Sequence, residues 1–177
     1  MKRLGLFRHA KSDWSDSDRR DFDRGLNTRG KMAAALMGKH ISAHGIPWQR
    51  TIASPAARVR QTLDEAAKAA GNYPPVEWED RVYLADVPVL MDILRHNDDK
   101  FANVILCGHN PGLEQLLREL SGQNLTNPHF ARIASKFPTA CFAVIELDIT
   151  QWHELMPGCG RLVHVALPRE LDSDQYP

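Results

Sequence analysis

No apolar run in this 177-residue chain approaches the roughly 18 residues needed to cross a bilayer, and Leu4-Gly5-Leu6-Phe7 is cut short by Arg8. The expectation is a protein with no membrane span and no signal peptide. Cysteine is scarce. Cys107, Cys141 and Cys159 are odd in number and widely spaced, which excludes a disulfide framework and a CxxC metal knuckle and points to a reducing cytoplasm. Net charge is absent as well, with 22 basic against 22 acidic residues. No basic stripe interleaved with aromatics is present, so nucleic acid is not the expected partner. Internal repeats are missing too, which excludes a solenoid.

What remains is ordinary globular composition, 43% hydrophobic and 25% charged, enough for a core and too apolar for disorder. The length suits one domain spanning residues 1–177, with a mobile tail after about residue 168. Charge is nevertheless uneven: residues 1–60 carry 13 Lys and Arg against 5 Asp and Glu. A small anionic ligand is the economical partner for such a basic third.

Periodicity alternates between short apolar runs and helical spacings. Leu4–Phe7 reads as a buried strand ending at Arg8-His9, and residues 11–25 as a polar loop. Asn27 or Thr28 can cap a helix that Gly45 and Pro47 end. Thr51–Ala53 reads as a second strand, and Ser54-Pro55 as the cap and first turn of a helix running to Ala70. Val82–Leu84 is expected to be extended, and Val87–Arg95 helical after Pro88. Asn103–Cys107 reads as a third strand, leading through Gly108-His109-Asn110-Pro111-Gly112 into a helix to Leu120. Residues 121–138 are expected to be a polar loop, and Cys141–Leu147 and Leu162–Leu167 to be strands. The alternation implies a three-layer α/β/α fold around a mostly parallel sheet.

In such sheets ligands collect beyond the carboxyl ends of the strands. Three strand ends here carry Arg8-His9, Ser54-Pro55-Ala56-Ala57-Arg58 and Gly108-His109-Asn110. Two guanidiniums can grip phosphate oxygens with forked, charge-assisted hydrogen bonds while an imidazole acts as nucleophile. Arg58 falls in the first turn of its helix, where a cation opposes the dipole unless an anion is near.

These residues resemble the histidine phosphatase superfamily. The Arg8-His9-Ala10 triplet is similar to its signature, Ser54 through Thr62 to its second-arginine motif, and Cys107 through Gly112 to its second-histidine motif. Arg8-His9-Ala10-Lys11-Ser12, Leu84-Ala85 and Phe137-Pro138-Thr139 look most like the small SixA-type phosphohistidine phosphatases. The resemblance implies a phosphoglycerate mutase-like fold and a covalent intermediate on His9, with Arg8, Arg58 and His109 holding the phosphate. Asn110, and Ser15 by loose analogy, would join them. No cofactor or metal is implied, because arginines do the neutralising that magnesium does elsewhere.

The leaving group needs a proton if it is an alkoxide. Asp86 is the candidate donor, with Asp13 and Asp18 behind it. A phosphoramidate would hardly need one, which favours a phosphorylated protein histidine over a small phosphorylated metabolite. A non-catalytic phosphate-binding module is the third reading, and it leaves a nucleophile at position 9 unexplained. His40 and His44 have metal-ligand spacing on a helix, but the sequence offers no third ligand in context. They, like the motif-free His96, His129, His153 and His164, read as ordinary surface or packing residues.

Overall fold

The computed structural model describes residues 1–122, 127–133 and 136–171. Its sheet has six strands: β1 Lys2–Arg8, β2 Arg50–Ala53, β3 Val76–Trp78, β4 Asn103–Gly108, β5 Phe142–Leu147 and β6 Gly160–Ala166. They lie in the order β3-β2-β4-β1-β5-β6. β1 to β4 run parallel, whereas β5 runs antiparallel to both β1 and β6. β1 and β4 sit in the middle and are covered on both faces. Leu4, Leu6, Phe7, Val104, Ile105 and Leu106 are fully buried, as near-continuous apolar strands require.

Among the described residues six helices cover the sheet: α1 Thr28–Ala43, α2 Ala57–Ala70, α3 Val87–Arg95, α4 Gly112–Ser121, α5 Pro128–Ile133 and α6 Pro168–Leu171. One face packs Ala34, Met37 and Ile41 of α1 and Leu63 of α2 against Phe7, Ile105 and Phe142. The other packs Leu90 and Leu94 of α3, Leu116 and Leu120 of α4 and Phe130 of α5 against Leu4, Leu6 and Leu106. This is the three-layer α/β/α arrangement, with a mostly parallel sheet. Asn27 caps α1, its Oδ1 accepting from Gly30 N–H at 2.8 Å. α1 and α2 approach backbone to backbone at Gly38, where a Cβ would stand 2.2 Å from the Ala66 carbonyl oxygen.

Several elements differ from the sequence reading. β3 went unseen, since a three-residue, half-exposed edge strand leaves no alternating signal. Val82–Leu84 is not extended: Asp80–Val82 forms a 3₁₀ turn, and Leu84 sits at a φ of 49°. The expected loop at 121–138 contains α5, because Phe130 and Ile133 have core to bury. Residues 168–171 form α6, and the rest of the expected tail, 172–177, lies outside the described residues. Ser54 does not cap α2, whose N-cap is Ala56 with no side-chain bond. The serine is engaged elsewhere.

Candidate active site

Parallel β1, β2 and β4 all end at one edge of the sheet, so His9, Ser54 and His109, each just past a strand, are neighbours there. His9 N–H donates to the Gly108 carbonyl at 3.1 Å and Ser54 N–H to the Cys107 carbonyl at 3.1 Å, which locks the three exits together. The reversed direction of β5 brings its lead-in, Phe137–Cys141, to the same edge. Ala140, at a φ of 56°, donates its N–H to the His9 carbonyl at 3.0 Å.

The His9 and His109 rings lie 5.2 Å apart, centroid to centroid, and both are buried. His9 Nδ1 is 2.8 Å from the Ala10 carbonyl oxygen, an acceptor only, so Nδ1 carries the proton and Nε2 the lone pair. His109 Nε2 lies 2.8 Å from Ser54 Oγ, which accepts from Ala56 N–H at 3.4 Å. The hydroxyl is therefore disposed to donate to Nε2, which places the His109 proton on Nδ1.

Burial, aided by the Arg58 and Arg8 charges, pushes the His9 pKa down to about 4. Burial, then His9 and Arg58, takes His109 to about 3. Both rings are thus neutral near pH 7. Desolvation is the larger cause; the cations alone are the smaller one. Cys107, alongside in β4, is held protonated by burial and serves as core.

Arg8 Nη1 donates to the Phe137 carbonyl at 2.7 Å, the same oxygen that takes Asn110 Nδ2 at 3.0 Å. Arg58, 4% exposed, donates Nη1 to the Asp21 carbonyl and Nη2 to Asp21 Oδ2, at 2.6 and 3.0 Å. Thr62, one turn later, accepts from Ala10 N–H at 2.9 Å and donates to the Arg58 carbonyl at 2.6 Å, coupling the His9 loop to that turn. Among the described residues, two nitrogens at the site, Arg8 Nε and His109 Nδ1, are buried without a partner. A cluster of cations and orphaned donors beside a neutral imidazole is built for an anion.

The structure brings together Arg8, His9, Arg58 and His109 from the sequence reading, with Asn110 at their rim. Asn110 supports more than it grips: its amide nitrogen is committed to Phe137 and to Glu114 at 3.2 Å. Ser15 and Asp86 are not brought in. Ser15 is exposed, its N–H held by the Asp13 carboxylate at 2.9 Å, because the loop turns locally there. Asp86 is exposed and caps α3, its Oδ1 accepting from Val89 N–H at 3.2 Å. Trp14 is exposed, with Arg24 stacked 3.5 Å over its ring.

The carboxylate that reaches Arg58 is Asp21, which no sequence signal marked. Loop 11–26 is closed at its base by Asn27 N–H to the Lys11 carbonyl and Asp13 N–H to the Gly25 carbonyl, and its 3₁₀ turn at Asp21–Asp23 folds back onto α2. Tyr83 was also missed. Its hydroxyl donates to Asp21 Oδ2 at 2.7 Å, and its ring meets His109 edge-on at 5.4 Å. That bond from Tyr83, with Arg58, holds the Asp21 carboxyl below its ordinary pKa. Gly112 permits this crowding, since a Cβ there would lie 2.1 Å from the Ala85 carbonyl oxygen.

Residues 4–83 match the histidine phosphatase superfamily, branch 1. An uncharacterised protein of Mycobacterium leprae is 28% identical over 92% of this chain and 99% of its own. Among solved structures, a candidate phosphohistidine phosphatase SixA from Agrobacterium tumefaciens is 29% identical, covers 94% of this chain and 98% of its own, and superposes with a TM-score of 0.79. A second such SixA candidate, from Nakamurella multipartitia, is 27% identical over 94% and 96% of the two chains, with a TM-score of 0.80.

Proposed function

We propose that this chain, similar to the histidine phosphatase superfamily, branch 1, over residues 4–83 and to SixA candidates over most of its length, hydrolyses phosphohistidine on a protein through a phosphoryl-enzyme intermediate on His9. His9 Nε2 attacks phosphorus in line, the P–N bond to the substrate imidazole breaks, and the departing ring keeps the electron pair and takes a proton from water. Water then attacks the phosphorus on His9, releasing inorganic phosphate and restoring the neutral ring. Arg8, Arg58 and the His109 Nδ1–H supply donors to the equatorial oxygens and stabilise their charge, Arg58 once its nitrogens exchange Asp21 for the phosphoryl group.

The observation that carries this reading is the pairing of a tautomer-locked, neutral His9 with orphaned donors. Leaving-group chemistry supports the substrate. Asp21 is held ionised, a poor proton donor, and an imidazole departs with less help than an alkoxide. A groove of about 740 Å³ next to the His9 loop, lined by Lys11, Arg29, Lys136 and Arg169 together with the Arg132–Glu170 ion pair, keeps a basic excess that suits an acidic protein surface better than a small metabolite. The same reading takes residues 1–177 as one domain and places it in the cytoplasm, where its three free thiols stay reduced. Among the described residues no helix is long and apolar enough to cross a membrane.

The test is to incubate the protein with a phosphohistidine protein labelled on phosphorus. Wild type should trap acid-labile, alkali-stable label on His9, and H9A should fold, trap none and turn nothing over. Activity persisting in H9A overturns the assignment. A higher kcat/KM on sugar phosphates or nucleotides than on the phosphoprotein replaces the substrate while keeping the nucleophile.

A further inference from the structure

Half of the eight histidines lie together at the far edge of the sheet, apart from the residues of the phosphate site. His40 is in the last turn of α1, His44 is its C-cap, and the fold adds the third residue that the sequence spacing lacked: His164 on edge strand β6. His40 Nε2 and His164 Nε2 are 2.8 Å apart, with their rings stacked at 14°. The His44 ring centroid is 4.0 Å from that of His164, and His129 of α5 approaches His164 at 6.3 Å.

A local irregularity accounts for the meeting. β5 and β6 change register between Val144 and Ile145: Ile145 pairs with Leu162 but Val144 with His164, leaving Val163 as an extra residue. In a regular strand residues 162 and 164 would share a face. The bulge separates them, sending Leu162 to the core under α3 and α4 and setting His164 opposite Val144, on the α1 side. Bulges of this kind re-aim side chains, and this one aims an imidazole at two others.

We propose that His40, His44 and His164 bind a first-row divalent transition-metal ion, Zn²⁺ or a like ion, fastening the end of α1 to edge strand β6. One ligand nitrogen from each residue falls within 4.8 Å of the others. A zinc ion with three imidazoles at about 2.0–2.1 Å needs nitrogens about 3.3 Å apart, so His40 and His164 must part by about half an ångström while the third nitrogen, within 4.8 Å, closes by up to about 1.5 Å. Water would complete the tetrahedron. A set with imidazoles and no carboxylate selects Zn²⁺, Ni²⁺ or Cu²⁺ over Mg²⁺ and Ca²⁺. The rings are held neutral, as ligands must be: burial lowers the pKa of all three and, with the neighbouring imidazoles and Arg132, takes His164 to about 4, so metal binding requires only that the proton shared between His40 Nε2 and His164 Nε2 move to an Nδ1.

The experiment uses the full chain freed of metal, with Co²⁺ as a visible probe and ZnCl₂ in calorimetry. Wild type should bind one equivalent, give the intense visible absorption of tetrahedral Co²⁺ and gain Tm with Zn²⁺. H44Q and H164Q should each weaken binding by about a hundredfold or more, since losing a ligand costs at least what losing its outer-shell support does. Both should lose the absorption and the Tm gain, while phosphatase activity without metal matches wild type. H44Q alters only a helix C-cap, so it keeps the test decisive if H164Q folds poorly. Absence of the absorption in wild type, or its persistence in H44Q, overturns the proposal.

Discussion

Asp21 and Arg58, 37 residues apart, form a two-point contact in which the Asp21 carbonyl and carboxylate take both terminal nitrogens of a nearly buried guanidinium. The carboxylate thereby occupies the donor face that a phosphate oxygen would seek. On the proposed reading, the loop bearing it is expected to compete with substrate rather than assist the leaving group.

D21N is accordingly expected to bind inorganic phosphate more tightly. Asp21 is 45% exposed, so the pair is worth no more than about 1 kcal/mol, which corresponds to about fivefold in affinity. Product-inhibition constants measure this, and kcat on a phosphohistidine protein should be retained. A collapse of kcat with unchanged phosphate affinity would make Asp21 the proton donor.

S54A removes the partner of His109 Nε2 and frees the ring to turn. We expect kcat to fall by about ten- to a hundredfold with little change in KM, and stability to fall by about 1 kcal/mol. S54T, which keeps the hydroxyl, should restore most of the rate. Equal loss of kcat and of Tm in both variants would mean packing alone.

D86A tests the acid that the sequence suggests. Losing the cap of α3 should cost about 0.5–2 kcal/mol of stability while leaving turnover of phosphohistidine and of alkyl phosphates unchanged. Steady-state rates beside a urea melt separate the two effects.

Protonation of the buried pair should limit stability in acid. His9 has a folded pKa of about 4, below the roughly 6.5 of an unfolded histidine, so the unfolded chain binds its proton first as pH falls. Stability contributed by this group is complete above about pH 6.5 and drains away down to about pH 4. H9N should shrink the loss between pH 7 and 4 by on the order of 2–3 kcal/mol, read from denaturant melts across that range. An unchanged pH profile would mean that His9 is solvated.

Much of the site was legible because its chemistry is carried by short local strings. Arg8-His9 after an apolar run, Arg58 in a first helical turn and His109 after a strand each declare a position at the carboxyl edge of a parallel sheet, and sheet topology makes such positions adjacent. The α1 cap at Asn27 and the helix at Val87–Arg95 are local in the same sense, set by side-chain capping and by a 3.6-residue period.

Tertiary structure decided whatever depends on partners distant in the chain. Ser54 reads as a helix cap until His109, 55 residues away, takes its hydroxyl. Asp86, beside the expected site in sequence, turned to its own helix, whereas Asp21 arrived because a loop closed on itself and met Arg58 and Tyr83. The histidine cluster is the plainest case: two residues at helical spacing came from α1, and the third faces them because one extra residue in β6 reversed the side on which it points. Local strings record which groups a chain can offer; which of them meet depends on strand direction, register and loop closure, which arise only when distant segments pack.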